Sequence, residues 1–415
     1  MNKKTKVFIL SDMILSPSGV GTQTKYMVDA LLKTGRYEFV CFGGAVKHHS
    51  YEPIKYGDDV LIFPVDGYGN HDSVRSIIRT HKPDILWFMT DPRFYEWLWD
   101  IENEIRPLIP MVYYHVWDNY PYPKFNKRHY ESCDVVVSIS KVTDDIVKTV
   151  APSVESYYIP HAVNNDIFSK ADDQALAEFK KQHSLDDGKF TVFWNNRNAR
   201  RKQSGTLIWW FNEFLKVVGK ENARLIMHTD IRDPHGQDLG AIVEELGLTN
   251  REVVFSTQKH PPEILSLLYN AADCTINIAD AEGFGLGTME SLSCETPIIV
   301  TMTGGLQEQV TDGENWFGIG LNPAASSVIG SLQVPYIRED RVSQEDVVQA
   351  LLDMYNKTDE ERKKMGKAGR EYILNNYNFE NYGKQWVDLM DKIHNEHGSW
   401  ESRKKHNRWS LKEMR

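Results

Sequence analysis

Short apolar segments alternate with helical patterns along almost the whole chain, and this alternation limits the fold more than any other feature of the sequence. Continuous apolar strands that alternate with helices are typical of α/β proteins with a parallel, doubly wound sheet. The first series predicts helices at about 21–34, 72–81, 93–105 and 140–150. Its predicted strands are residues 6–10, 60–63, 85–88, 111–115, 135–138 and 157–159.

A second series begins after a polar, charged stretch at 169–189. Its predicted strands are residues 190–194, 224–227, 253–255, 274–278 and 297–300, with helices at about 204–218, 236–246, 261–270, 287–294 and 343–356. We therefore predict two doubly wound, Rossmann-like domains at residues 1–168 and 190–375, joined by a connecting helix or linker at 169–189. Residues 376–415 are expected to form a C-terminal helix that packs back toward the first domain, followed by a basic tail.

The length of 415 residues suits two or three domains of roughly 150 residues each. Apolar residues make up 41% of the chain and charged residues 26%, which is typical of a folded globular protein. The net charge of −10 argues against a dedicated nucleic-acid coat protein, although it leaves room for a local basic patch.

The N-terminal segment begins like a signal peptide, but Ser11 and Asp12 interrupt its apolar run and no small-residue cleavage site follows. We interpret it as the first strand. No run approaches about 18 apolar residues, so no spanning helix is predicted and the expected compartment is the cytoplasm. The four cysteines are widely spaced without a CxxC pair, which indicates reduced, buried thiols rather than a zinc site or a disulfide framework.

Ligands of open α/β sheets bind beyond the carboxyl ends of the strands, and clefts between domains are common ligand sites. We therefore expect the chemistry in strand-to-helix loops of both domains, facing a central cleft. The first such loop is Ser16–Thr22, where Gly19 and Gly21 would let backbone N–H groups approach a phosphate at a helix N-terminus. The pattern is neither GxGxxG nor a Walker motif, so a tight, capped turn is an equal alternative.

Four cations within Arg197–Lys202 follow the first strand of the second domain. Arginine provides a planar fork and lysine a point charge, so this loop is suited to clamp a diphosphate. The alternative is a solvated, charged loop.

The strongest signal is the segment AEGFGLGTMESL at residues 281–292, in which three glycines lie between Glu282 and Glu290. The glycines allow tight turns, and a helix beginning near Gly287 would present its N-terminus to a phosphate. Glu290 would accept two hydrogen bonds from a ribose diol, and Glu282 would accept them from hydroxyls of a second sugar. Capping and core packing alone would leave the three glycines and both glutamates unexplained.

Glu282 and Glu290 form an E-x7-E pair, and this pair resembles the donor-binding signature of the retaining glycosyltransferases of family 4, which have the GT-B fold. The resemblance extends over roughly residues 5–395. Further similar segments occur in the family's order: SPSGVGT at 16–22, KPDI at 82–85, CDVVVSIS at 133–140, IPHAVN at 159–164, Arg-x4-Lys at 197–202, LYNAAD at 268–273, TPII at 296–299 and GGLQE at 304–308. Ala162 and Asn164 depart from the family's glycine and aspartate, and Asn196 stands where the family often has glycine.

The resemblance implies a role for each matching residue. Arg197 and Lys202 would bind the donor pyrophosphate, Glu290 the ribose and Glu282 the donor sugar. His115 would lie near the transferred sugar, with a structural histidine as the alternative. The glycine-rich segments would supply backbone contacts, from Gly19 and Gly21 in the first domain and from Gly283, Phe284, Gly285, Leu286 and Gly287 in the second.

The sequence has no Asp-x-Asp motif, which argues against a metal-dependent GT-A enzyme. We expect no metal site and no cofactor apart from the nucleotide-diphosphate sugar that acts as donor. Arg197, Lys202 and the helix near Gly287 would do electrostatically what a divalent ion does in GT-A enzymes. The resemblance implies a hexosyl- or pentosyltransferase that retains the anomeric configuration. The acceptor would attack on the face from which the diphosphate leaves, and the leaving phosphate oxygen would take the acceptor proton.

The acceptor is expected to be a glycan or glycolipid, and glycosylation of modified DNA bases by a phage-type enzyme is the alternative reaction. A sugar-nucleotide epimerase, a pyridoxal-phosphate-dependent GT-B phosphorylase and a non-catalytic sugar-nucleotide-binding protein are alternatives of other classes. Half of the twelve aromatic residues at 87–125 are expected in the core. The rest would form the floor of an acceptor site for a sugar ring or a base. The tail from Trp400, which includes Trp409, has six cations and two anions. We interpret it as a solvated tail, with peripheral contact to a polyanion (anionic lipid headgroups or nucleic acid) as the alternative.

Overall fold

A computed structural model of the chain describes residues 3–406, which form sixteen strands and fifteen helices. The strands are β1 (Thr5–Asp12), β2 (Tyr37–Gly44), β3 (Ile54–Tyr56), β4 (Val60–Pro64), β5 (Ile85–Met89), β6 (Met111–His115), β7 (Val135–Ser138), β8 (Glu155–Tyr158), β9 (Phe190–Asn195), β10 (Ala223–His228), β11 (Val253–Ser256), β12 (Cys274–Asn277), β13 (Ile298–Thr301), β14 (Gly318–Leu321), β15 (Ala325–Ile329) and β16 (Ile337–Arg341). The helices are α1 (Gly19–Leu32), α2 (His71–His81), α3 (Glu96–Trp99), α4 (Glu102–Ile105), α5 (Lys127–Glu131), α6 (Lys141–Val150), α7 (Asp173–Gln182), α8 (Ser204–Val218), α9 (Leu239–Glu245), α10 (Pro262–Ala271), α11 (Leu286–Ser293), α12 (Gln307–Val310), α13 (Gln344–Asn356), α14 (Asp359–Asn376) and α15 (Phe379–His397).

The described chain divides into two compact units. The first contains the described residues up to Ala162, the short segment Ser331–Pro335 and the described residues from Glu380 onward. The second contains Val163–Gly330 and Tyr336–Phe379.

The first unit is built on an eight-stranded sheet with the order β3-β4-β2-β1-β5-β6-β7-β8. Every neighbouring pair is parallel except β3 with β4, which is antiparallel. Strands β5 and β6 are buried along their whole length, as expected when helices cover both faces of a parallel sheet. Helix α15 belongs to this unit, and its buried Trp386 packs edge-on against Trp87 and Tyr114 at centroid distances of 5.8 and 4.9 Å.

The second unit is built on a six-stranded, fully parallel sheet with the order β11-β10-β9-β12-β13-β14. Strands β15 and β16 form a separate antiparallel hairpin after β14. The sheet core is apolar, with Trp194, Phe211 and Met227 completely buried. Two doubly wound sheets therefore confirm the predicted α/β fold class.

Several elements differ from the sequence prediction. Strand β2 was not predicted although Phe39–Phe42 form an apolar run within it. Strand β14 and the β15–β16 hairpin were not predicted because their short, glycine-rich or polar sequences lack such a run. The predicted helix at 93–105 is broken into a 3-10 turn and two short helices, since Tyr95 and Ile101 leave the helical region near φ −115°. By contrast, residues 169–189, predicted as a connecting helix or linker, do contain a helix, α7, whose first N–H groups are capped by the Asp172 carboxylate.

All four cysteines are buried and free, as predicted. Among the helices of residues 3–406, none has the length and apolarity needed to cross a membrane.

Candidate functional site

The candidate site of the second unit lies at the point where its strand order reverses. The chain runs outward from β9 to β10 and β11 and then returns to place β12 on the other side of β9. In open α/β sheets, ligands bind at such a switch point, beyond the carboxyl ends of the strands. The loops that follow β9 and β12 are the cation-rich loop and the glycine-rich loop that the sequence singles out.

The loop after β9 ends in a tight turn that presents Lys202. A 3-10 turn spans Arg200–Lys202, Gln203 adopts a left-handed conformation with φ 56°, and α8 begins directly afterwards. Earlier in the loop, the exposed Arg197 makes a bidentate ion pair with Asp233, with donor–acceptor distances of 2.6 and 3.1 Å. Hydrogen bonds from Arg197 lower the pKa of the Asp233 carboxyl group.

Lys202 and Glu282 form an ion pair that joins the two loops. Their side chains are only 8% and 11% exposed, so the pair is largely withdrawn from water. The backbone carbonyl of Glu282 accepts a hydrogen bond of 3.0 Å from the Gly305 N–H, which ties the loop after β12 to the turn after β13. Two of the predicted site residues are thus held side by side with opposite charge.

The glycine-rich loop after β12 leads into α11 through a left-handed residue. Gly285 has φ 94° and precedes the first helical residue, Leu286. Gly285, the N-cap residue, has no side chain that could cap this helix end, which leaves its first N–H groups to an anion. Gln309 fixes the loop by donating from Nε2 to the Phe284 carbonyl at 2.6 Å, and Phe284 itself is buried. Gly287 lies in the first turn of α11, next to the end of β9.

Glu290 lies one turn into α11 and is half-buried. The Tyr269 hydroxyl donates to its carboxylate at 2.8 Å, and the Asn195 amide donates to that hydroxyl at 2.7 Å. Burial raises the pKa of Glu290 to about 7, while the bond from Tyr269 acts in the opposite direction. The sequence predicted Glu290 but not its two supporting residues. The LYNAAD segment and the last residue of β9 were the available signals.

Gly19 and Gly21 lie in the first unit, at the first turn of α1, where its sheet has its own switch point between β1 and β5. Ser18 caps this turn: its hydroxyl accepts from the Gly21 N–H at 3.0 Å and donates to Asp12 at 2.6 Å. A Cβ on Gly21 would lie 2.7 Å from the Met13 carbonyl oxygen, so this position requires glycine.

His115 is the last residue of β6 and is completely buried. Its Nε2 lies 2.8 Å from the Tyr130 hydroxyl, and the two rings pack edge-on. Burial lowers the pKa of His115 to about 3, so the imidazole is neutral at pH 7. The catalytic role that the family resemblance implies for this residue stays a prediction.

The aromatic cluster of residues 87–125 is mostly core. Phe94 and Tyr120 are exposed, and Phe94 packs on Tyr68 with a centroid distance of 5.1 Å. Trp97, Tyr122 and Phe125 are half-buried. The buried members are Trp87, Phe88, Tyr95, Trp99, Tyr113, Tyr114 and Trp117.

The described part of the C-terminal tail has exposed residues (Glu401, Ser402, Lys404 and Lys405), as expected for a solvated tail, but two other residues are held by the first unit. Arg403 is 7% exposed and pairs with Asp134 at 2.6 Å, and the Trp400 N–H donates to Asp84 at 3.2 Å. These contacts bind the segment to the first unit. The rest of the predicted basic tail, including Trp409, lies outside the described residues. Within residues 3–406, no group of three or more His, Cys, Asp or Glu side chains is arranged to hold a metal ion.

Residues 177–372 match the family described as glycosyl transferases group 1. Over 113 residues the chain is 35% identical to a D-inositol 3-phosphate glycosyltransferase from Acidothermus cellulolyticus, a match that covers 27% of this chain and 25% of that protein. The chain spans less than half the length of the curated relatives it matches.

Many solved structures are similar to this chain, among them the following two. Sucrose-phosphate synthase from Thermosynechococcus elongatus has a TM-score of 0.77 at 17% identity, over 94% of this chain and 100% of that one. Anabaena HepE in complex with UDP-glucose has a TM-score of 0.68 at 15% identity, over 93% and 99%. The fold is therefore GT-B, as the sequence predicts, and together with the family match over residues 177–372 it supports a GT-B glycosyltransferase.

Proposed function

We propose that the protein is a retaining, metal-independent glycosyltransferase of family 4 that transfers a sugar from a nucleotide-diphosphate donor to an acceptor hydroxyl. One observation carries the proposal: the cation-rich loop and the glycine-rich loop meet at the β9/β12 switch point. The Anabaena structure with a similar fold holds UDP-glucose, which supports a donor of this class.

The donor diphosphate would bind where these loops meet. Lys202 supplies a point charge, and the N-terminus of α11 supplies a set of backbone N–H donors. Arg197 supplies a planar fork once a phosphate replaces Asp233 as its partner. All three stabilise negative charge, and that charge increases on the diphosphate as the bond to the sugar breaks. Fixed donors directed at a developing anion lower the barrier without reorganisation at the moment of reaction.

The two glutamates would hold the rest of the donor. Glu290, half-buried and oriented by Tyr269, accepts hydrogen bonds from the ribose diol. Glu282 accepts them from hydroxyls of the donor sugar. Because Lys202 and Glu282 are already paired, a donor would insert its diphosphate against the lysine and its sugar hydroxyls against the carboxylate.

Transfer would proceed without a covalent enzyme intermediate. The bond between the anomeric carbon and the diphosphate oxygen breaks, and the acceptor oxygen forms its bond to the same carbon on the same face. The acceptor proton passes to the departing phosphate oxygen, so charge and atoms balance without a side-chain base. The configuration at the anomeric carbon is retained.

The acceptor would be a glycan or glycolipid. Support comes from Phe94 and Tyr120, which expose aromatic side chains in the loops after β5 and β6. Aromatic faces provide apolar surface for the ring of a sugar, while their polar neighbours bind its hydroxyls. These loops follow strands near the switch point of the first sheet.

A donor panel tests the proposal. Purified protein is incubated with UDP-, GDP- and ADP-linked sugars in the presence of chelator, and free nucleoside diphosphate is measured with and without a mixture of glycan and glycolipid acceptors. Release from one donor, with Lys202→Ala as the inactive control, is the expected result. Binding without release would favour a non-catalytic binding protein, and conversion of the sugar while it stays attached to the nucleotide would favour an epimerase. Release only in the presence of modified DNA would favour the DNA-directed alternative.

A further inference from the structure

The β15–β16 hairpin contacts the candidate site although it lies outside the sheet. Its second strand has the sequence IREDR, with four consecutive charged residues at 338–341. Glu339 pairs across the hairpin with Ser327, and four of the five residues of β15 are exposed. No residue of either strand belongs to the apolar core of the second unit. The hairpin is therefore attached to this unit mainly by polar contacts.

Glu339 makes the strongest of these contacts. Its carboxylate accepts a bidentate pair of hydrogen bonds from Arg200, at 2.8 and 2.5 Å, and its side chain is only 2% exposed. Arg200 is the first residue of the tight turn that presents Lys202. A bidentate arginine–carboxylate pair fixes direction as well as distance, so the hairpin restrains this turn at its first residue.

The same strand also restrains the loop after β12. The Asp340 N–H donates to the Asp280 carbonyl at 2.9 Å, and Arg341 pairs with the buried Asp280 carboxylate at 3.2 Å. Asp340 in turn accepts from the Thr303 hydroxyl at 2.9 Å. Asp280 is two residues before Glu282, so β16 restrains the backbone that carries this second member of the ion pair.

Two contacts join the restrained segments directly. The Asp280 N–H donates to the Arg201 carbonyl at 2.8 Å, and the Gln203 amide donates to the Asp280 carboxylate at 2.7 Å. The turn that contains Lys202 and the part of the loop after β12 that precedes Glu282 are thus both bound to β16 and to each other. Burying the carboxylates of Glu339 and Asp280 costs free energy that apolar side chains would not cost. Some proteins keep buried charged groups of this kind because the groups define a single geometry.

We propose that the hairpin sets the separation of Lys202 and Glu282, and that Glu339 is a positioning residue for the diphosphate site through Arg200. This inference rests on the proposed function, because it assumes that a diphosphate binds at Lys202. Glu339 cannot bind an anion itself, since its own carboxylate is negative. Its effect on diphosphate affinity must therefore pass through the cation-rich loop.

Whether Glu339→Gln weakens or strengthens diphosphate binding shows whether Glu339 positions the turn or only neutralises Arg200. If Glu339 only neutralises Arg200, then Glu339→Gln frees a cation and diphosphate binds more tightly. If Glu339 positions the turn, then Glu339→Gln loosens it and binding becomes about tenfold weaker or more. Arg200→Lys, which keeps the charge but loses the fork, is expected to weaken binding in the same direction.

Calorimetric titration of the full chain with UDP, GDP and ADP measures this affinity, and thermal unfolding records stability alongside it. Asp273→Asn is the control, because Asp273 is a half-buried carboxylate that pairs with Arg362 at 3.3 Å and directly precedes β12, at the amino end of the strand whose carboxyl end leads to Glu282. The control is expected to leave the diphosphate affinity unchanged, whatever its effect on the melting temperature. Equal or tighter binding by Glu339→Gln, or equal weakening by Asp273→Asn, would overturn the inference. If Glu339→Gln does not fold, Arg200→Lys decides by the same criteria. If the wild-type chain binds none of the three diphosphates, the proposed function fails and the inference fails with it.

Discussion

Lys202 and Glu282 form a buried ion pair between the loop after β9 and the loop after β12, 80 positions apart in the chain. Each is the other's counterion in a place where water contributes little. A ligand that displaces this pair has to offer a new partner to both groups. A diphosphate with an attached sugar matches this requirement, since it offers an anion to the lysine and hydroxyl donors to the carboxylate.

Glu282→Gln is expected to destabilise the chain and to increase its response to nucleoside diphosphate. Removing one partner of a buried pair leaves an uncompensated charge and costs about 3–5 kcal/mol. A bound diphosphate would again neutralise Lys202, so the ligand-induced rise in melting temperature should exceed that of the wild-type chain.

Thermal unfolding with and without UDP, GDP and ADP measures both effects of Glu282→Gln. Glu213→Gln serves as control, because Glu213 pairs with Lys216 on the surface of α8, where ion pairs contribute little. A smaller ligand response in Glu282→Gln than in the wild-type chain would show that the carboxylate does not compete for the lysine.

Lys202→Ala is expected to lower turnover by about 10²–10³-fold at saturating donor, which is the cost of losing one donor to a developing anion. Glu282→Ala should also lower turnover strongly, because the donor sugar loses its acceptor of hydrogen bonds. Release of nucleoside diphosphate under saturating donor is the measurement. Unchanged turnover in either variant would remove the role assigned to that residue.

Much of the fold was predictable because its signals are local. Strands β6 and β7 and helix α8 have the predicted bounds, since each is a continuous apolar run or an amphipathic pattern with clear ends. The glycine-rich loop was predictable for the same reason: its glycines and Glu290 all lie within one short segment.

The contacts that complete the site were not predictable because they join distant positions. Glu339 and Arg200 are 139 residues apart, and a run such as IREDR is typical of an exposed strand rather than of a buried carboxylate. The burial of His115 was also hidden, since a histidine at the end of an apolar strand has the same sequence pattern whether it faces a ligand or the core. Charge pairing and burial depend on the tertiary fold.

Glu290 should make the affinity for the donor decrease at acidic pH. Its pKa of about 7 means that the carboxylate, which accepts hydrogen bonds from the ribose, is lost as the pH falls below 7. Affinity for nucleoside diphosphate should therefore decrease between pH 8 and pH 6, and Glu290→Gln should bind more weakly at pH 8 with a flatter profile. Calorimetric titration across this range tests the expectation, and an unaltered pH profile in Glu290→Gln would assign the decrease to another group.

The raised pKa of Glu290 also predicts that the stability of the fold falls as the pH rises, whereas the affinity for the donor increases. Because the folded-state pKa lies above the unfolded value of 4.5, the stability associated with protonated Glu290 is fully present below pH 4.5 and is lost as the pH rises through 7. Glu290→Gln should therefore gain stability relative to the wild-type chain between pH 5 and pH 8. Urea unfolding at the two pH values measures the difference, and a constant difference would contradict the assignment of the raised pKa to this residue.

Gly285→Ala is expected to destabilise the second unit and to displace the N-terminus of α11. The residue has φ 94°, and an added Cβ would lie 2.6 Å from Leu306 Cδ2 and 2.9 Å from Thr288 Oγ1. Backbone strain at such a position costs about 1–3 kcal/mol, and the overlap adds to it.

Gly313→Ala is the matched control, since Gly313 has φ 100° but nothing within 4 Å of the added carbon. The two variants share the strain, so the excess free energy of unfolding lost by Gly285→Ala measures the overlap with Leu306 and Thr288. Diphosphate affinity should fall in Gly285→Ala alone, because only this substitution shifts the N–H groups at the start of α11. Equal losses of stability and equal affinities in the two variants would mean that the close packing around Gly285 has no part in holding the anion.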